Sequence, residues 1–381
     1  MRRTGKSSLL KLIADDMTKT LGRKESSFLH LNFESLTNRH LCDSLALHEY
    51  ISSAVKQSSD RLTVLLDEIQ NVESWEKCVN SLRADNACDI FITGSNSQIL
   101  SGELATHLAS RTIQFKVFPF SFAEYCRARR TLYNFRSEEL TDHVLWEEYL
   151  VRGGMPGHLN YQDVNSALQY LGDIYDTIIL KDIAQRWKIR RVAVLERVYQ
   201  YLAREIGHRV SAGNIEKFLK SEKLELSRDT LLEFIRAGTE TFALERLETH
   251  DLQGKQVLHF QPKLYMSDHG FQEALFTGSN GQNIDQVLEN IVCIELLRRG
   301  HSVTVCDIDG KEIDFIAERN GQRMYIQVSD LLASEDTIQR EFTPLLDVRD
   351  NWPKLVLSLD PVNRSQLGIE HKNIIDFLLD R

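Results

Sequence analysis

Three short apolar runs punctuate the first hundred positions. Residues 28–33 read Phe-Leu-His-Leu-Asn-Phe, residues 62–66 run apolar into Asp67-Glu68, and Ile90-Phe91-Ile92 leads into Thr93-Gly94-Ser95-Asn96. Their length and β-branched content predict buried parallel strands. Ahead of them, Ser8 to Ala14 opens an amphipathic helix.

Further along, residues 120–190 read as mostly helical, broken at Gly153-Gly154-Met155-Pro156-Gly157. Ile174, Ile178, Ile179 and Ile183 predict an amphipathic helix over 173–182. Helices are predicted from Val194 to Ile206, from an N-cap at Ser211 to about Leu219, and from Thr230 to Ile235 behind Ser227. Alternation over 241–247 and 255–266 predicts two strands, so this stretch reads as three helices and a β-wing. After a Gly-Ser-Asn-Gly linker at 278–281, a helix is predicted over 287–299. Strands follow at 301–306, 312–316 and 324–329, with Asn320-Gly321 as a hairpin turn.

The chain has 381 residues, 42% hydrophobic and 27% charged, an ordinary globular composition long enough for several domains. A net charge of −9 excludes a generally basic nucleic-acid coat. Locally the balance differs: residues 181–220 hold ten Lys/Arg against four Asp/Glu. The helix behind Ser227 carries as many acids as bases, so sequence-specific DNA binding is the lesser reading beside a solvated or protein-docking face. The six cysteines show no CxxC pair, no apolar run is long enough to span a membrane, and the first residues form no signal peptide. A cytoplasmic location is expected.

Candidate chemistry gathers at the strand ends. Gly5-Lys6-Ser7 matches the end of a Walker A motif, GxxxxGK[ST], whose leading glycine would fall one position before Met1. Taken alone it also fits a basic tail running into a helix. As a phosphate site, Thr4, Gly5, Lys6, Ser7 and Ser8 would meet the nucleotide at a helix N-terminus, Lys6 neutralising phosphate and Ser7 ligating Mg²⁺. Asp67 then takes the Walker B place on Mg²⁺, and Glu68 is the candidate base for the attacking water. Ser95 or Asn96, with Thr93 behind them, stand where a polar side chain would sense the γ-phosphate.

These segments, with Leu66-Asp67-Glu68-Ile69-Gln70, Trp75, Ser110-Arg111, residues 119–125 (Pro-Phe-Ser-Phe-Ala-Glu-Tyr) and Gly153-Gly154-Met155-Pro156, resemble one family along essentially the whole chain. It is the prokaryotic AAA-superfamily ATPase group that carries a C-terminal domain of unknown function, often nuclease-like. The resemblance implies a helical lid beside the ATPase domain. It implies a chain that starts inside Walker A, so that the first strand of the sheet is missing. It also makes Arg111 a candidate γ-phosphate contact, in cis or across subunits, with a surface ion pair as the equal alternative.

The helix, strand and acid-bearing hairpin after residue 282 resemble a PD-(D/E)xK nuclease core. Asp314 fits its first acidic position, but Gln327 and Ser329 stand where Glu and Lys would. An inactive, scaffold-type domain is expected.

The expected architecture is α/β. It comprises a P-loop ATPase domain (1–128), a helical lid (129–190), a winged-helix-like domain (191–277) and a degenerate nuclease-like domain (282–381). The expected activity is Mg²⁺-dependent ATP hydrolysis, with ATP as ligand, a protein partner or a homo-oligomer as candidate assembly, and no membrane. A nucleotide-independent DNA- or protein-binding scaffold and a metal-dependent nuclease are the rivals.

Overall fold

The computed structural model describes residues 1–95, 112–133, 140–251, 257–276, 284–308 and 310–381. They form two compact units, Met1–Val117 and Phe118–Arg381.

The first unit is built around β1 (Phe28–Asn32), β2 (Thr63–Asp67) and β3 (Asp89–Ile92), parallel and in that spatial order. Parallel neighbours need crossovers, which α2 (Ser44–Gln57) and α3 (Trp75–Ala84) supply, while α1 (Lys6–Leu21) precedes the sheet. All five residues of β2 are buried, Thr63 and Asp67 along with Val64, Leu65 and Leu66, whereas β3 is half-buried throughout. Leu47 and Ile51 of α2 and Trp75 and Val79 of α3 close over Val64 and Leu66. In register, Asn32 lies beside Asp67, so the polar ends of β1 and β2 are level.

The second unit opens with α4 (Phe122–Tyr133), α5 (Asp142–Arg152) and α6 (Val164–Thr177). Phe120 donates its N–H to Gly154 O at 2.7 Å, and a Cβ on Gly154 would stand 2.2 Å from Phe120 O, so only glycine fits there. The helix expected over 173–182 is divided: α6 ends at Thr177 and continues as a π-helical stretch, Ile178–Gln185, that still buries Ile178, Ile179 and Ile183. Next come α7 (Val192–Arg204), α8 (Ala212–Ser221) and α9 (Arg228–Glu240), with Ser211 and Ser227 capping α8 and α9.

β4 (Leu244–Asp251) and β5 (Val257–Met266) pair antiparallel, as the alternation predicts. They do not stand apart as a free wing. β4 also pairs parallel with β6 (Ser302–Ile308), Thr249 beside Val305. The hairpin is thus the edge of a seven-stranded sheet that continues through β7 (Lys311–Arg319), β8 (Gln322–Val328), β9 (Lys354–Ser358) and β10 (Glu370–Asn373). Sequence alternation reports which face a strand buries but not which neighbour it finds. Asn320 and Gly321 both take positive φ between β7 and β8, the tight turn that Asn-Gly favours. α10 (Gly270–Phe276) and α11 (Ile284–Arg298) precede β6, α12 (Glu335–Leu346) links β8 to β9, and α13 (Ile374–Leu378) ends the chain.

Candidate nucleotide site

Gly5 takes φ 97° at the N-terminus of α1, and no side chain caps that end. Ser7 and Ser8 are exposed on the first turn. A left-handed glycine followed by a helix start presents backbone N–H groups and the positive end of the helix dipole, an arrangement suited to anions. Thr4 is buried, its hydroxyl donating to Met1 O at 3.3 Å. Lys6 folds back, donating to the same carbonyl at 2.5 Å, with Glu68 Oε1 3.7 Å from its ammonium.

Asp67 ends β2 fully buried, with both carboxylate oxygens engaged. Thr93 Oγ1 donates to Oδ1 at 2.5 Å, and Asn32 Nδ2 donates to Oδ2 at 3.2 Å. Thr93 also accepts the Glu68 N–H at 3.2 Å on its hydroxyl and the Ile69 N–H at 3.1 Å on its carbonyl. These bonds hold Glu68 in the left-handed region at φ 55°, which costs a non-glycine residue roughly 1 kcal/mol. Gln70 donates its amide to Glu68 Oε2 and approaches Ser95 Oγ at 3.4 Å.

The structure therefore brings together Lys6, Asp67, Glu68 and, through Gln70, Ser95. It gives a place to Asn32, which no motif includes, and to Gln70, which stands in the Leu66–Gln70 motif without a role, and makes Thr93 the direct partner of Asp67. The signal for Asn32 was present, a polar residue closing an apolar strand, but only the register with Asp67 gives it meaning. Asn96 and Arg111 lie outside the described residues.

The donor set fits Mg²⁺ and a polyphosphate: a hydroxyl, a buried carboxylate held by two hydrogen bonds, an ammonium, and uncapped helix N–H groups. Among the described residues, no group of three His, Cys, Asp or Glu is spaced to hold a metal by itself.

The second unit offers less. Of the basic residues at 181–220, Arg197 pairs with Glu222, and Arg209 bridges Asp307 and Glu312. At the expected nuclease positions, Gln327 Oε1 accepts the Asp314 N–H at 3.3 Å, Asp314 accepts the Val328 N–H at 2.8 Å, and Ser329 is buried. Ser358, Asp360 and His371 touch, yet they do not make an activated serine. The Arg364 N–H donates to His371 Nδ1, so Nε2 carries the proton and donates to Ser358, which donates onward to Asp360.

Residues 1–126 match the family described as AAA domain, and residues 143–282 match a domain of unknown function (DUF8612). With the site above, this makes the N-terminal part an AAA-type P-loop ATPase domain. An uncharacterized protein of Haemophilus influenzae is 35% identical over 380 residues, covering 100% of this chain and 92% of its own length. The chain belongs to the same family as that protein. An uncharacterized protein of Methanocaldococcus jannaschii is 27% identical over 307 residues, 79% of this chain and 66% of its own. Among solved structures, a Walker-type ATPase of Pyrococcus abyssi is similar at 13% identity and a TM-score of 0.49, over 72% of this chain and 89% of that one. No helix among the described residues is long and apolar enough to cross a membrane.

Proposed function

We propose that this protein is a Mg²⁺-dependent ATPase that works as a molecular switch or remodeller. The observation that carries the reading is the convergence of Lys6 on Glu68 beside an Asp67 carboxylate fixed by Thr93 and Asn32. Thr4, Gly5, Lys6, Ser7 and Ser8 form the phosphate-binding segment, with Lys6 turning its ammonium from Met1 O and Glu68 to the phosphates. Ser7 and Asp67 would hold Mg²⁺, which would supply charge neutralisation at the phosphates. Glu68 orients the attacking water and takes its proton. Ser95 or Asn96 senses the γ-phosphate, and Arg111 stabilises developing charge, in cis or from a second copy.

The scaffold reading is weaker because Arg197 and Arg209 already face carboxylates of their own chain. The nuclease reading is weaker because Gln327 and Ser329 stand where Glu and Lys would and are buried, Gln327 accepting the Asp314 N–H.

The test is equilibrium binding of Mg²⁺-ATP and steady-state phosphate release for the wild type, Lys6→Ala and Glu68→Gln. Binding lost with Lys6→Ala, and turnover down by about 10²-fold with binding kept in Glu68→Gln, are expected. Wild-type protein that binds no Mg²⁺-ATP sinks the reading.

A further inference from the structure

Where α11, β5 and β7 meet, four charged side chains converge, three of them buried or nearly so and Glu312 half-buried at the rim. Lys263, 3% exposed, places Nζ 2.8 Å from Glu289 Oε1, 2.5 Å from Glu312 Oε1 and 3.7 Å from Asp314 Oδ1. Tyr265 donates its hydroxyl to the same Glu289 oxygen at 2.5 Å, and Arg209 binds the other Glu312 oxygen at 2.8 Å. Gly207, at φ 78°, lies so close that a Cβ there would come within 3.0 Å of Glu289 Oε2.

A buried ammonium survives as a charge only when carboxylates surround it, and crowded carboxylates need a cation between them. Glu289, Glu312 and Asp314 satisfy both demands with Lys263. We propose that this cluster is a cation site whose resident cation is the Lys263 ammonium, so that it takes no divalent metal and supports no metal-dependent phosphodiester hydrolysis. Burial opposes the charge on Lys263, but Glu289, Asp314 and Glu312 outweigh it and hold the ammonium above the usual lysine range. Asp314 is displaced upward by its burial and by Glu289.

The same contact fastens β5 to α11 and β7. The loop between α7 and α8 joins β5 as well, Gly207 N–H donating to Leu264 O and Val210 N–H to Pro262 O. The lysine therefore fixes the edge strand β5 to α11 and β7, and the backbone bonds of Gly207 and Val210 join the three-helix segment to that same strand. It arrives from a strand preceding the nuclease-like segment, which is why motif spacing around Asp314 does not reveal it.

The test uses the full chain. Bound Mn²⁺ is counted by electron paramagnetic resonance in wild type and Glu289→Gln, and melting is followed in Lys263→Met, Glu289→Gln and the double variant. Equal Mn²⁺ counts are expected. The Lys263→Met melting point should fall on the order of 10 °C, with the double variant losing clearly less than the two single losses summed. A Mn²⁺ ion present in wild type and lost in Glu289→Gln overturns the proposal, as do additive losses. Should Lys263→Met fail to fold, the Mn²⁺ comparison decides alone.

Discussion

Thr93 and Asp67 are joined across adjacent strands, the threonine hydroxyl donating to a carboxylate oxygen at 2.5 Å where β2 ends. Asp67 has no exposed surface, so each oxygen must find its donor within the protein. Replacing Thr93 with valine leaves a buried carboxylate oxygen short of a bond. A stability loss of about 1–3 kcal/mol is expected in urea titrations. Mg²⁺-dependent ATP affinity should weaken in the same variant, because Asp67 is then free to turn.

Gln70 stands between Glu68 and Ser95. If Glu68 orients water, its second oxygen must be held, and Gln70 is what holds it. Gln70→Ala is expected to keep ATP affinity and lose roughly tenfold in turnover, a small part of what general-base catalysis contributes. Steady-state kinetics beside direct binding separates the two quantities; a fall in affinity alone would contradict this role.

Gly154 makes a backbone contact that no side chain permits, with Phe120 O 2.2 Å from where a Cβ would stand. Because the obstacle is backbone, it cannot swing aside. Gly154→Ala is expected to cost about 1–3 kcal/mol by the overpacking argument, read as a lowered denaturation midpoint. Gly213, whose Cβ would meet nothing within 4 Å, is the control, and its alanine variant should be neutral or slightly stabilising.

Burial lowers His158 and His269 from 6.5 to about 4. Between pH 6.5 and 4 the unfolded chain binds protons at these histidines that the folded chain refuses. Their contribution to stability is therefore complete above pH 6.5 and is lost as pH falls toward 4. Burial raises Asp268 to about 7 despite the N–H groups of Gly154 and Gly270, so its contribution runs the other way and is lost as pH rises through 7. His269→Gln should flatten the acid-side decline by up to about 1.4 kcal/mol per pH unit, one proton's worth. Urea midpoints at several values between pH 4 and 6.5 check it; an unchanged slope would show that His269 protonates without cost in the fold.

The sequence alone determined whatever depends on local order. The apolar run into Asp67-Glu68 marked a buried strand with its acids at the end, Gly5-Lys6-Ser7 marked a helix start, and Asn320-Gly321 marked a hairpin. In each case neighbouring residues carry the physical cause: an apolar run for the strand, a left-handed glycine ahead of the helix, positive φ at the hairpin turn. Only the tertiary structure decided which distant residues serve those positions. Asn32 reaches Asp67 because two strands share a register, and Gln70 reaches Ser95 because a turn folds across a strand end. The β4–β5 hairpin became a sheet edge, and Lys263 met Glu289 and Asp314, because backbone pairing and charge burial are satisfied between segments far apart in the chain. Periodicity records which side of an element is buried; the partner on that side is a property of the folded whole.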